Sequence, residues 1–356
     1  MSAIEPNALA RAPVDESIID GFIRAQAQAV PATISSVREQ LGGLDLRPAK
    51  HLVLVGSGTS LNALLVAKPG FEAGGAFVEV LNPVAFLSRE PALGRDALVI
   101  ALSQTGTSET TVAAVRQAQE SGWRCLTITA EAHSPIGQVA ASKLVLPVGP
   151  EPVGPKTKGY TASLAGLFEL AAAFGGKAGA AEIDEDLLAA VIAKTTPPAF
   201  ALAAELDEAD GLLFTGEGRH HGTALEASLK IAEMTGVPAA AFPTEEAMHG
   251  RFHGLTAKSL CVMIAADEAE RALAAHAAGV MAGLGVRTLI LNLTSVPTPH
   301  DWVRTPALSA PHDTIAAIIP VQRLAQAMAA RRGIPPHLMR FPGLSKLLGI
   351  KIDRLT

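Results

Sequence analysis

Short apolar runs stopped by glycine or a turn alternate along this chain with longer stretches whose apolar residues recur at helical spacing. After a helical leader at about 17–41 comes His51-Leu-Val-Leu-Val-Gly56, whose unbroken apolarity marks a strand buried on both faces. A helix at about 61–68, a strand at 76–81, the strand Ala97–Leu102, a helix at about 107–121 and the strand Cys125–Thr129 come next. That βαβαβ order predicts a doubly wound parallel sheet.

The pattern then starts again. Gly211-Leu-Leu-Phe-Thr-Gly216 begins 160 positions after His51 and matches the first strand, while Leu260–Ala265 matches the third. A helix at about 267–283 and the strand Thr288–Leu293 continue the echo, and a third helix at 316–333 closes it. Between the copies lie a turn-rich loop (149–155) and an Ala/Leu helix to about 174. The expected organisation is a helical leader (1–45), a first domain (46–195), a second domain (196–333) and a Pro-interrupted tail (334–356). The fold class is α/β, with two tandem doubly wound parallel-sheet domains.

Composition agrees and excludes several partners. At 356 residues the length suits two domains of about 150 residues each. The chain is 49% hydrophobic and 18% charged, enough apolar mass for a core, yet only 4% aromatic. With 29 Lys+Arg against 34 Asp+Glu it offers neither the stacking rings nor the basic groove of a single-strand binder, so no nucleic-acid partner is expected. Cys125 and Cys261 sit in apolar surroundings and are too few for a disulfide framework or a metal quartet, which reads as cytoplasmic. The start carries Asp15, Glu16 and Asp20 where a signal peptide would be basic. The most apolar stretch, 159–175, is broken by Glu169, so neither a membrane span nor a membrane partner is expected.

The copies differ most after their third strands. The first reads Ser103-Gln104-Thr105-Gly106-Thr107-Ser108-Glu109-Thr110 and runs into a helix, so hydroxyls, free N–H groups and the positive helix end converge at the carboxyl edge of a sheet. The second reads Ala265-Ala266-Asp267-Glu268, whose charge repels phosphate. One phosphate site per chain is expected; the bland alternative is simple helix capping by Ser and Thr. Gly56-Ser57-Gly58-Thr59-Ser60 could open a dinucleotide fingerprint with Glu79 as its ribose acid, but Leu61 stands at the third glycine. Neither a nucleotide P-loop nor a Gly-x-Ser-x-Gly nucleophile elbow is found.

These segments, with Thr157-Lys158, Ala224-Leu-Glu-Ala-Ser-Leu-Lys-Ile-Ala-Glu233 and Glu246-Ala-Met-His-Gly250, resemble the sugar isomerase (SIS) domain family. Over about residues 20–346 the order is most similar to the isomerase half of glutamine:fructose-6-phosphate amidotransferase and to related double-SIS amino-sugar-phosphate deaminases. The resemblance implies flavodoxin-like domains. It implies that Ser60, Ser103, Gln104, Thr105 and Ser108 hold a sugar 6-phosphate, with Gly58, Thr59, Lys156 and Thr157 also at the substrate. It makes Glu233 the enolisation base, Lys230 its lysine, His249 the ring-opening group and Lys346 a Schiff-base lysine. It further implies a homodimer in which His249 reaches the neighbouring subunit's site, a small-molecule sugar phosphate as ligand, and no metal or redox cofactor.

Elementary chemistry accommodates those roles. Lys230 and Glu233 are three apart and Glu226 is one turn back, so the three share a helix face. Moving a proton between C1 and C2 of an open-chain sugar needs a carboxylate, and a lysine beside it stabilises negative charge. Without the resemblance, a solvated Glu–Lys–Glu stripe is the plainer reading. His249 and His253 have the spacing of a metal pair, but Gly250 between them argues against a continuous helix. Three features depart from the family pattern. Lys156 replaces a serine, His220-His221 replace small or polar residues, and the tail runs past Lys346 as a longer, more basic segment.

The amidotransferase's glutaminase begins with a cysteine nucleophile, whereas this sequence begins Met-Ser with about 50 residues before the first strand, so glutamine hydrolysis is not expected. The expected activity is an amino-sugar 6-phosphate deaminase/isomerase of the glucosamine 6-phosphate type. An aldose–ketose isomerase or a fructosamine-6-phosphate deglycase is the alternative, and a non-catalytic sugar-phosphate-binding regulator is the alternative of another class.

Overall fold

A computed structural model describes residues 16–89, 93–94, 96–175, 183–305, 308–341 and 343–352. The chain divides into two compact units, each assembled from separate stretches. Gln26–Glu151, Lys158–Glu185 and the tail from Gly343 form one, here called the N-terminal unit. The C-terminal unit takes the chain up to Ala25, Pro152–Thr157 and the long stretch from Asp186 to the start of that tail. The leader and tail, expected as separate segments, are thus distributed between the units.

The elements run α1 (Glu16–Leu41), β1 (His51–Val55), α2 (Thr59–Glu72), β2 (Phe77–Leu81), α3 (Pro83–Leu87), β3 (Ala97–Leu102), α4 (Glu109–Glu120), β4 (Arg124–Thr129), α5 (Pro135–Val139), β5 (Lys143–Val145) and α6 (Lys158–Phe174). After these come α7 (Glu185–Ala204), β6 (Leu212–Thr215), α8 (Arg219–Thr235), β7 (Ala239–Phe242), α9 (Thr244–Met248), a 3-10 turn (Arg251–Gly254), β8 (Leu260–Ala265), α10 (Glu268–Gly283), β9 (Arg287–Asn292), β10 (Asp301–Arg304), α11 (Asp313–Arg331) and α12 (Leu344–Leu347). Both sheets are parallel and five-stranded, in the orders β2-β1-β3-β4-β5 and β7-β6-β8-β9-β10. The two orders are the same topology, that of doubly wound flavodoxin-like sheets.

Burial explains the unbroken apolar runs. In the first sheet Val53, Val55, Ala97 and Val99 pack against Phe86, Ala114 and Ala118 from α3 and α4. Period-two alternation turns Leu52, Leu54, Leu98 and Ile100 to the opposite face, where they are equally buried. In the second sheet Leu213, Cys261, Met263 and Ile290 pack on Ala274, Ala277 and Ala278 of α10. Glu169, which interrupts the apolar stretch of α6, is buried and bound by the Arg38 guanidinium through two hydrogen bonds of 2.8 and 3.1 Å. Such a bidentate pair is the usual way to bury a carboxylate.

Two features have no counterpart in the sequence reading. The first is α7, which is long and apolar enough to cross a membrane by length and composition alone. Its Leu188, Val191, Ile192, Thr195, Ala199 and Leu202 form a buried stripe, and the Trp302 indole donates to the Pro198 carbonyl, so it packs as an amphipathic helix of its unit. The strands β5, β7 and β10 also have no counterpart, because Ala239-Ala-Ala-Phe242 and its short equivalents lack a β-branched alternating pattern.

Candidate active site

In the N-terminal unit β1 and β3 are hydrogen-bonded neighbours whose crossovers run in opposite directions, so their carboxyl ends form the topological switch point of the sheet. The turns after these strands are the two hydroxyl-rich segments singled out above. Backbone bonds pin the Ser103–Ser108 loop on both sides: Ser103 N–H donates to Ile128 O, Ala130 N–H to Gln104 O, and Ile136 N–H to Gly106 O. Gly106 has φ +67°, and a Cβ there would stand 1.9 Å from Ser134 Oγ, so the loop needs a glycine at this point. Ser108 occupies the N-cap of α4 in an extended conformation, yet its side chain makes no cap bond; it accepts from Thr111 Oγ1 at 2.8 Å. Plain capping therefore does not account for Ser108. Thr105 and Thr107 share a hydrogen bond of 3.0 Å between hydroxyls.

The other turn is held by Gly58, whose φ of +54° opens α2, with Thr59 and Ser60 as its first residues. Ser60 N–H donates back to Ser57 O at 3.1 Å. Gln104 is only 9% exposed, and its Oε1 is buried without a hydrogen-bond partner.

Sequence reasoning missed two contributors to this end of the sheet. The buried carboxylate of Glu151 accepts the Gly159 N–H at 3.0 Å at the start of α6, and a Cβ on Gly159 would come within 2.7 Å of Gln104 Nε2. An acid shortly ahead of a helix, in Gly-Pro-Glu-Pro, was the available signal. The second contributor is the tail, whose residues Ile350–Ile352 pair with Thr107–Glu109. Lys346 lies on the exposed helix α12.

A cavity of about 480 Å³ touches Trp123, Arg124 and Cys125 at the opposite edge of this sheet. Doubly wound sheets bind ligands at the carboxyl edge, not here. Burial pushes the Cys125 thiol up to about 12, so it is an inert group.

In the C-terminal unit the residues expected to act as acid and base lie on α8, which opens at Gly218 (φ +50°) and ends at Gly236 (φ +68°). Lys230 is 0% exposed. Its Nζ stands 3.2 Å from buried Glu226 and donates to Glu233, whose side chain is 23% exposed. The plainer alternative of a solvated stripe does not hold: this is a buried ion triad with Glu233 partly exposed. Burial alone would lower the Lys230 pKa, but the carboxylates of Glu226 and Glu233 outweigh it and hold the ammonium above the ordinary lysine range.

The other candidates fall at several points of the same unit. Thr157 is buried and its carbonyl accepts from Gln322 of α11, next to half-buried Lys156. His249 follows α9, with its side chain 73% exposed and 3.7 Å from Glu245. Gly250 (φ +148°) breaks the chain direction before His253 in the 3-10 turn, so the two histidines do not share a helix. His220 is explained by packing: its buried ring meets Asp313 at 3.4 Å, and Arg219 reaches the other oxygen of that carboxylate.

Comparison with known proteins decides the family of the first unit. Residues 45–173 match the family model of the SIS domain. The chain carries a SIS domain. The second sheet repeats the topology of the first outside the matched residues. The chain is 29% identical over 309 residues to glutamine–fructose-6-phosphate aminotransferase (isomerizing) of Streptomyces coelicolor, covering 81% of this chain and 50% of that one. It spans about half the length of the curated relatives it matches. Among solved structures, the C-terminal domain of glucosamine-fructose-6-phosphate aminotransferase from Francisella tularensis shares the fold, with a TM-score of 0.75, 20% identity, and coverage of 89% and 96% of the two chains. Glucosamine-6-phosphate deaminase from Thermotoga maritima does so with a TM-score of 0.74, 22% identity, and coverage of 90% and 97%. Both likenesses show that the fold is shared over nearly the whole chain.

Proposed function

We propose that this protein is an amino-sugar 6-phosphate deaminase/isomerase converting glucosamine 6-phosphate, or a close analogue, to the ketose 6-phosphate and ammonia. The observation that carries the reading is the triad on α8. A lysine buried between two carboxylates is costly to maintain unless it has a task, and here it leaves one carboxylate, Glu233, at the surface beside a fixed cation.

The roles are assigned residue by residue. In the N-terminal unit the hydroxyls of Ser60, Ser103, Thr105 and Ser108, with Gln104, bind the 6-phosphate and exclude unphosphorylated sugars. His249 assists opening of the pyranose ring, and its exposure suits a group that serves a neighbouring copy in a dimer. Glu233 then takes the proton from C2 while the C1 carbonyl oxygen is protonated, giving an enolamine whose developing charge Lys230 offsets. Return of the proton to C1 leaves an imine at C2. Water adds to that imine, the C–N bond breaks, and ammonia departs from the ketose. Lys346 is available to exchange with a carbonyl as a Schiff base, and Lys156 adds a cation where the family's serine stands.

Incubation with glucosamine 6-phosphate should release ammonia and fructose 6-phosphate in equal amounts. Glu233→Gln should still bind the substrate but lose about a thousandfold in turnover and in solvent deuterium exchange at C2, as expected for removal of a general base. Normal exchange in that variant removes Glu233 from the role. Tight binding without turnover of any hexosamine or hexose 6-phosphate would make the protein a sensor instead.

A further inference from the structure

The C-terminal tail runs beside the anion loop as a second strand. Ile352 N–H donates to Thr107 O at 2.9 Å and Glu109 N–H donates to Ile350 O at 3.3 Å, so Ser108 and Lys351 face each other as an antiparallel pair. The bonds flank these two residues without involving them. Such non-hydrogen-bonded pairs bring the Cα atoms to about 4.5 Å and send both side chains out on one face. Ile352 is anchored by packing against the buried cluster of Ala101, Val112, Val115 and Ile136. Alternation along an extended segment then turns Lys351 away from that core, to the side of the Ser108 hydroxyl.

We infer that Lys351 is a further phosphate-binding residue, a full positive charge delivered to the loop by the tail. The inference rests on the loop being the phosphate site. A phosphate monoester carries about two negative charges at neutral pH, whereas a helix end offers roughly half a charge and hydroxyls none. Glu109 adds a negative charge at the start of α4, and its N–H, which opens that helix, is already occupied by the Ile350 carbonyl. A dianion at this loop needs a cation, and Lys351 supplies one. Among the described residues Lys351 enters no ion pair that would hold its ammonium elsewhere. The loop's hydroxyls were legible in the sequence, but the cation comes from residues far along the chain.

The test is calorimetric titration of inorganic phosphate into the full chain and into Lys351→Gln, Lys351→Arg and Ser103→Ala. Lys351→Gln should weaken phosphate about fivefold, in the range of a partly exposed charge-assisted bond, and Lys351→Arg should restore it. Since the backbone pairing does not use the Lys351 side chain, both Lys351 variants should keep the parent's thermal midpoint. Loss of affinity in Ser103→Ala with none in Lys351→Gln overturns the role of Lys351 and leaves the phosphate site standing. Equal weakening by Lys351→Gln and Lys351→Arg also overturns it, because a role in packing rather than charge would then be at work. Phosphate binding that none of the variants alters, or no binding by the parent chain, overturns both the residue and the site.

Discussion

The two sheets repeat one backbone and surround it with different side chains. Gly58 and Gly218 open their helices at nearly the same torsions, φ/ψ of 54°/−129° and 50°/−122°. Behind them Gly56 N–H reaches Leu81 O at 3.3 Å, and Gly216 N–H reaches Phe242 O at 3.4 Å. The side chains around these glycines differ. The first turn presents Ser57, Thr59 and Ser60; the second presents Glu217, Arg219 and His220, with His220 buried against Asp313. The third-strand turns diverge further. Asp267 accepts the Glu270 N–H at 2.9 Å and Glu270 accepts the Ala266 N–H at 2.7 Å, a capping box shifted by one residue on its return bond, which fills the end of α10 with carboxylates. Ser108 caps nothing, and α4 begins at a hydroxyl-lined loop. A repeated fold supplies donor geometry twice, and the side chains decide whether it stays open to an anion or is closed from within. In the second unit the buried charges gather instead on α8, as the Glu226–Lys230–Glu233 triad.

The largest effect should come from Lys230. Lys230→Met keeps the volume roughly but leaves Glu226 buried without its cation, an arrangement that costs about 3–5 kcal/mol. Denaturant unfolding should show that loss, together with loss of turnover. A variant as stable as the parent would mean that the triad is solvated after all, and that the contrast between an anion-binding unit and a proton-transfer unit is drawn in the wrong place.

How much of this was readable in advance depends on the physics of each element. Long apolar runs such as Ala97–Leu102 and Leu260–Ala265 announce strands buried on both faces, and the duplication is read from them. The strand β7 is nearly all alanine and gains its conformation from pairing with β6, which no local pattern records. The hydroxyl loop was legible because its composition is unusual at a strand end. The burial of Lys230 was not, since a Glu–Lys–Glu stripe looks alike on a wet face and in a dry one; tertiary packing alone makes the difference. Glu151 and Lys351 escaped for a related reason, being brought to the loop across 47 and 243 positions from Gln104 and Ser108.

Converting one third-strand turn into the other should have an intermediate effect. Ser108→Asp installs at α4 the carboxylate cap that α10 already has. Helix capping predicts an unchanged or slightly raised thermal midpoint. The same charge should weaken inorganic phosphate by about tenfold or more, since like charge now meets the ligand at close range. Calorimetry and thermal unfolding on one preparation separate the two. Retained phosphate affinity would show that this helix end is not where the anion binds.

The smallest effect tests the other side of the comparison. Asp267→Ala removes one half of the capping box and leaves the Glu270 N–H without its side-chain acceptor, a loss of about 1 kcal/mol. Burial already raises the Glu270 carboxyl above its ordinary range, and the nearby Asp267 charge works in the same direction. Removing Asp267 therefore lowers that carboxyl. A group whose folded pKa exceeds its unfolded value contributes stability at low pH that fades as pH rises through the folded pKa. With the shift reduced, the variant's deficit should be greatest in acid and shrink as pH rises toward neutrality. Turnover and phosphate affinity should stay at the parent's level. A changed phosphate affinity in Asp267→Ala would mean that the second turn takes part in anion binding, and the division between the two copies would have to be withdrawn.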